Sequence, residues 1–216
     1  MQKQDWCHIY FLEVEALALF FAANQYCLPK FLKTMPKLKV LIIYNYSSKR
    51  AVLQGLQSFS SNIQIKSLLL EKLIVPPFYE YCRTWESLEK LYLCLCEGSR
   101  NMNLLEKVHL LQFPKIVSIN IGHGSDLEEL PGKICNFTSL QRLSITNFHL
   151  IQKLPDDLGN LRSFRVLIFP TCPSLSMLPP SICKLQQLKL LDISLCRSLK
   201  DLSMEFDKLP NLKVLT

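Results

Sequence analysis

From residue 140 onward, apolar and polar positions recur in one fixed order. LQRLSITNF (140–148), FRVLIFPTC (164–172), LKLLDISLC (188–196) and the shorter LKVL (212–215) each begin 24 residues after the one before. Their shared core is an apolar residue, two variable ones, an apolar residue, one variable and a further apolar residue. The last two apolar positions lie two apart, so on an extended strand they share one side. Leu143 with Ile145, Leu167 with Phe169, and Leu191 with Ile193 are therefore predicted to point inward, and Ser144, Ile168 and Asp192 to face out. VEALALFFA (14–22), LKVLIIYNY (38–46), IKSLLLEKL (65–73), LEKLYLCLC (88–96) and IVSINIGHG (116–124) fit the same template less regularly. Counted from residue 14, the intervals are 24, 27, 23 and 28, then four of 24.

A fixed period in this range with an L-x-x-L-x-L core is the pattern of a leucine-rich repeat. It predicts a right-handed α/β solenoid with a parallel concave sheet, running over residues 14–216 as eight coils plus a truncated ninth. One coil cannot bury its own apolar edge, so each covers its neighbour and stability accumulates along the stack. A fully buried Leu or Ile contributes roughly 1.5–3 kcal/mol. Length variation goes into loops, as at Glu97-Gly98-Ser99-Arg100-Asn101 in the longest coil. Residues 1–13 form an expected N-terminal cover, with Trp6 and Tyr10 across the first coil. No amphipathic cap follows Leu215, which predicts the tail of a longer receptor, a truncated copy or a split product.

The second half of the coils also repeats. LPDDLGNL (154–161) matches LPPSICKL (178–185), and 130–137 and 28–31 share the pattern. Spacings of four and three put Leu154, Leu158 and Leu161 on one helical face, predicting a short α or 3-10 turn on the convex side. Pro155 suits a first helical position, Asp156 and Asp157 a helix N-terminus, and Gly159 its end. Leu202-Ser203 replaces Leu-Pro in the last full coil, which predicts a looser entry there.

Composition narrows this little. The chain has 216 residues, 49% hydrophobic and 20% charged, a globular balance. The net charge of +7 is spread evenly, with 13 Lys/Arg against 9 Asp/Glu in residues 1–110 and 12 against 9 in residues 111–216. That reads as a solvated surface and not as a nucleic-acid footprint. Nine cysteines without a close C-x-x-C pair read as reduced thiols of an intracellular protein. Cys96, Cys172 and Cys196 recur at the ninth repeat position, where a buried thiol packs as a small hydrophobe. The apolar run 9–28 contains Glu13 and Glu15, which argues against a membrane span.

Chemistry is sparse. There is no phosphate loop, no H-E-x-x-H and no G-x-S-x-G. Cys94, Cys96 and His123 could meet on neighbouring strands, but Cys96 is a core position and two exposed ligands do not make a closed metal site. No catalytic, cofactor-binding or metal residues are assigned. The informative set is the outward strand positions: Val40, Ile42, Tyr44, Ser67, Leu69, Glu71, Lys90, Tyr92, Ser118, Asn120, Arg142, Ser144, Thr146, Val166, Ile168, Leu190, Asp192 and Ser194. The N-terminal portion and the seventh and eighth coils are apolar for an exposed sheet, and the middle is polar. A protein interface accounts for this, with Val40, Ile42, Tyr44, Leu69, Tyr92, Arg142, Val166, Ile168, Leu190 and Asp192 as its partner-binding residues. High β-propensity of Val, Ile and Tyr packed on one another is the competing account.

The regular coils carry a more specific likeness. LPDDLGNLRSFRVLIFPTCPSLSMLPPSICKLQQLKLLDISLC (154–196), with LSITN (143–147), LEELPGKIC (127–135) and CLPKFLKTMPKLKVLIIYNYSS (27–48), resembles the repeat region of plant nucleotide-binding leucine-rich-repeat immune receptors. It is most similar to their helper subgroup, whose coiled coil is of the powdery-mildew-resistance type. Phe148, Phe164 and Leu202-Ser203 depart from the pattern, which suggests relaxed constraint. The resemblance implies a non-catalytic recognition domain of a cytoplasmic disease resistance receptor in innate immune signalling. It further implies protein partners such as lipase-like immune signalling heterodimers or the rest of the receptor. ADP or ATP would belong to a nucleotide-binding domain this chain lacks, as would the oligomerisation that opens a cation pore; membrane association would belong to the full-length receptor. A substrate-recognition repeat of a ubiquitin ligase and a secreted inhibitor of a pathogen enzyme are the alternatives.

Overall fold

The alternation that starts at residue 14 becomes a strand at Ala16, and the same two-residue offset holds in every later coil. The computed structural model describes residues 12–55, 64–75, 85–96, 113–123, 128–200 and 206–216. Of the expected cover over 1–13, all but Leu12 and Glu13 lies outside them, as do Glu97-Gly98-Ser99-Arg100-Asn101 and Leu202-Ser203.

Nine parallel strands make one sheet in chain order: β1 (Ala16–Phe21), β3 (Val40–Asn45), β5 (Ser67–Glu71), β7 (Lys90–Cys94), β8 (Ser118–Gly122), β9 (Arg142–Thr146), β10 (Val166–Ile168), β11 (Leu190–Asp192) and β12 (Val214–Leu215). Each pairs in parallel with the strand one coil away, as a solenoid requires. Leu41, Leu68, Leu91, Ile119, Leu143, Leu167 and Leu191 form one buried row through this register, and Ile43, Leu70, Ile121 and Ile145 a second. The six side chains predicted to point inward do so, with Ile193, the most accessible, 7% exposed. Phe148 and Phe164, the departures from the repeat pattern, are fully buried. The larger rings are absorbed by the core and not expelled.

Opposite the large sheet, the predicted short turns are 3-10 helices: η1 (Lys30–Thr34), η2 (Gly132–Asn136), η3 (Asp156–Asn160), η4 (Pro180–Lys184) and η5 (Phe206–Lys208). Leu154, Leu158 and Leu161 are buried together as their spacing predicts. Two details differ from the sequence reading. Pro155 is the N-cap, with an extended ψ of 136°, and the helix begins at Asp156. Gly159 lies inside η3, where a Cβ would come within 2.8 Å of Ser181 Cβ and closer still to the Ser181 carbonyl. Close approach of η4 therefore requires this glycine, and helix termination does not.

A second sheet was not expected. β2 (Gln25–Cys27), β4 (Ala51–Gln54) and β6 (Leu73–Ile74) pair in parallel where the first three coils leave the large sheet. Isolated parallel bridges, Glu129 to Lys153 and Lys153 to Met177, continue the arrangement in later coils. Asn45 ties the first coils together. Its amide Nδ2 donates to the Lys49 and Lys72 carbonyls at 2.8 and 3.3 Å, and its Oδ1 accepts from the Ser47 and Ala23 backbone at 3.2 and 3.4 Å.

Candidate functional site

The outer face of the large sheet is set by the residues that alternate with the buried leucines. Strand pairing lines them up in rows that cross the coils. One row runs Ala16, Val40, Ser67, Lys90, Ser118, Arg142, Val166, Leu190, Val214. The next runs Ala18, Ile42, Leu69, Tyr92, Asn120, Ser144, Ile168, Asp192, and the third Phe20, Tyr44, Glu71, Cys94, Gly122, Thr146.

All ten residues named for the partner-binding face lie on these rows. Val40, Ile42, Tyr44, Leu69 and Tyr92 are half-buried and occupy three adjacent strands, so they form one patch. Val166, Ile168, Leu190 and Asp192, also half-buried, form a second on β10 and β11, beside exposed Arg142 on β9. The polar strand β8 separates the two. Burial disfavours the Asp192 carboxylate, yet hydrogen bonds from Ser194 and Thr216 hold it below the usual carboxylate range.

Ser118 and Ser144, read as exposed, are buried at 6% and 5%. Both are short side chains on a face whose row neighbours include long ones, Lys90 and Arg142 beside Ser118 and Ile168 beside Ser144. The larger omission was Phe20. It is 66% exposed, and its ring centroid lies 5.9 Å from that of Tyr44, tilted by 51°. Its separation from Tyr44 equals one repeat, so the period carried the signal, but the sequence reading did not extend the outward positions to the first coil.

At the C-terminal end of the strands the backbone turns through left-handed conformations at Lys72, Leu95, His123, Asn147, Thr171 and Leu195, one in each coil from the third to the eighth. The cysteines of the following position do more than pack. Cys96 Sγ donates to Leu70 O at 3.4 Å, Cys172 to Ile145 O at 3.7 Å and Cys196 to Phe169 O at 2.9 Å, each a carbonyl of the preceding coil. Burial pushes the Cys96 thiol up to about 12, so it stays a donor. Among the described residues, no cysteine is joined in a disulfide. Burial, then the Glu71 carboxylate, also raises the Cys94 thiol. The Asn147 amide Nδ2 donates to the exposed His123 ring at 3.2 Å. Among the described residues, no three His, Cys, Asp or Glu side chains are placed to hold a metal ion together. Nor is any helix among them long and apolar enough to cross a membrane.

The in-phase sheet, the buried leucine rows and the 3-10 turns make this chain a leucine-rich-repeat solenoid. Its sequence relatives are plant disease resistance proteins. It is 37% identical over 143 residues to the probable disease resistance protein At4g33300 of Arabidopsis thaliana, covering 66% of this chain and 18% of that protein. Against disease resistance protein ADR1 of the same plant it is 34% identical over 147 residues, covering 68% and 19%. The chain thus spans between 17% and 22% of the length of the first four curated relatives it matches. No family model matches it. Among solved structures it is similar to the leucine-rich-repeat domain of the type III effector XopL, with a TM-score of 0.65, 20% identity and coverage of 94% and 76% of the two chains. A Leptospira interrogans LRR protein gives 0.61 at 17% identity, covering 89% and 52%. At such identities the likeness shows the fold alone.

Proposed function

We propose that residues 14–216 form a non-catalytic recognition domain of a cytoplasmic plant disease resistance receptor of the nucleotide-binding, helper type, acting in innate immune signalling. The concave sheet is the surface that engages protein partners, either lipase-like immune signalling heterodimers or the rest of the receptor. The single observation that carries this is the outer-face patch of exposed Phe20 with half-buried Tyr44, Tyr92, Ile42 and Leu69 on the parallel sheet. Aromatic anchors over an apolar floor are the side chains that dominate protein interfaces. Self-packing of β-formers does not account for Phe20, which leaves two-thirds of its surface in solvent.

The test is co-expression in leaf tissue with a lipase-like heterodimer and, separately, with the nucleotide-binding part of ADR1. The chain is expected to capture one of them, and F20A/Y44A/Y92A to lose it by about ten-fold or more. Capture of neither, or equal capture by the variant, would sink the reading. The alternatives have no such relatives to support them.

A further inference from the structure

Charge along the rim of the large sheet changes character from one end of the solenoid to the other. The residue just ahead of each strand occupies equivalent places in successive coils. In the first four coils these are Glu15, Lys39, Lys66 and Glu89, and they neutralise one another: Lys39 Nζ lies 2.6 Å from Glu15, and Lys66 Nζ 3.0 Å from Glu89. In the last three they are Arg165, Lys189 and Lys213, all exposed, and none has a carboxylate within salt-bridge distance among the described residues. Backbone bonds of 2.8 Å, from Lys189 N to Arg165 O and from Lys213 N to Lys189 O, hold them on adjacent strands. Like charges on neighbouring strands repel, so this row lowers stability unless an anion lies over it.

A second, independent feature lies on the same side. Ser118 Oγ is buried and has no hydrogen-bond partner within the described residues. Its neighbours in register are Lys90 and Arg142, both exposed and neither in an ion pair among those residues. A buried hydroxyl without a partner is disfavoured, and a bound acceptor would remove that cost. Here it sits between two cations.

We infer that the edge of the sheet from β7 to β12 is a docking track for an acidic segment of a partner polypeptide, with one carboxylate seated on Ser118 between Lys90 and Arg142 and further carboxylates over Arg165, Lys189 and Lys213. The inference rests on the concave sheet being the partner-binding face and adds the partner's chemistry. Strands about 4.8 Å apart place Arg165 and Lys213 about 10 Å apart, a span that three residues of extended peptide cover. Val166 and Leu190 lie beside the track, so apolar residues alternating with the acidic ones are accommodated. Nucleic acid fits less well. Among the described strand residues of β7 to β12, half-buried Tyr92 is the one aromatic side chain on the outer face, too few to stack successive bases along the track.

The experiment measures fluorescence anisotropy of a labelled peptide of alternating Glu and Leu titrated with the full chain. The parent is expected to bind it, and to ignore a Lys-and-Leu peptide of equal length. S118A is expected to weaken binding several-fold and R142E/K189E by about ten-fold or more. K153Q, on the far side of the solenoid, is expected to match the parent. R142Q/R165Q/K189Q, checked by circular dichroism, replaces the reversal should that variant fail to fold, and is expected to lose binding too. Any of three results overturns the inference: no binding by the parent, unchanged binding by folded neutralised variants, or equal competition by a single-stranded oligonucleotide or inorganic phosphate. Such a failure beside intact capture through Phe20, Tyr44 and Tyr92 would leave the recognition reading standing, and loss of capture alone would leave the acidic track standing.

Discussion

Two glycines show how much a single position can depend on its neighbours. Gly159 and Gly132 each occupy a 3-10 turn, and nothing in the local sequence ranks one above the other. A Cβ on Gly132 would meet nothing within 4 Å, whereas one on Gly159 would collide with the backbone of Ser181 in the next coil. Gly159→Ala is expected to destabilise by roughly 1–3 kcal/mol, as overpacking does. Gly132→Ala should be neutral or stabilising by up to about 1 kcal/mol through the unfolded chain. Urea unfolding midpoints of the two variants check this, and equal shifts would contradict it. The ninth-position cysteines make a similar point. The burial of Cys172 and Cys196 was legible from the period, with Cys96 half-buried instead, but their hydrogen bonds to the preceding coil were not, because the carbonyl each one meets is 26 or 27 residues away.

At the level of elements, the large sheet and the small one have different origins. The large sheet follows from leucines spaced to stack, and all nine strands could be placed from the sequence. The small sheet on β2, β4 and β6 has no such pattern, since its strands have only two to four residues and the lengths of the first coils differ. It depends on where the coils turn, and Asn45 fixes that turn by joining backbone groups from three coils. Asn45→Ala removes four hydrogen bonds to part-buried backbone groups and is expected to cost about 1–3 kcal/mol. Hydrogen exchange should then be faster in Ala51–Gln54 and Leu73–Ile74 than in Arg142–Thr146. Uniform acceleration across the chain would argue against a local role.

Over the whole molecule, the mismatch of charge along the rim makes stability salt-dependent. Screening should help the cationic C-terminal coils more than it weakens the exposed pairs Lys39–Glu15 and Lys66–Glu89, since exposed pairs contribute little. The thermal midpoint is therefore expected to rise with added sodium chloride, and the rise to shrink in R165Q/K189Q/K213Q. Differential scanning fluorimetry over a salt series reads it, and a midpoint that falls in salt would contradict the argument. The sequence by itself determined the repeat, the phase of every strand, the inward leucines and the positions that alternate with them on the outer face, because each depends on spacing along one chain. Only the tertiary structure decided that Phe20 joins Tyr44, that Ser118 is buried between Lys90 and Arg142, and that three cations on adjacent strands have no ion-pair partner among the described residues. Those depend on which side chains meet across coils and how long each is, and a period of 24 residues fixes the register between coils without fixing the space left between their side chains.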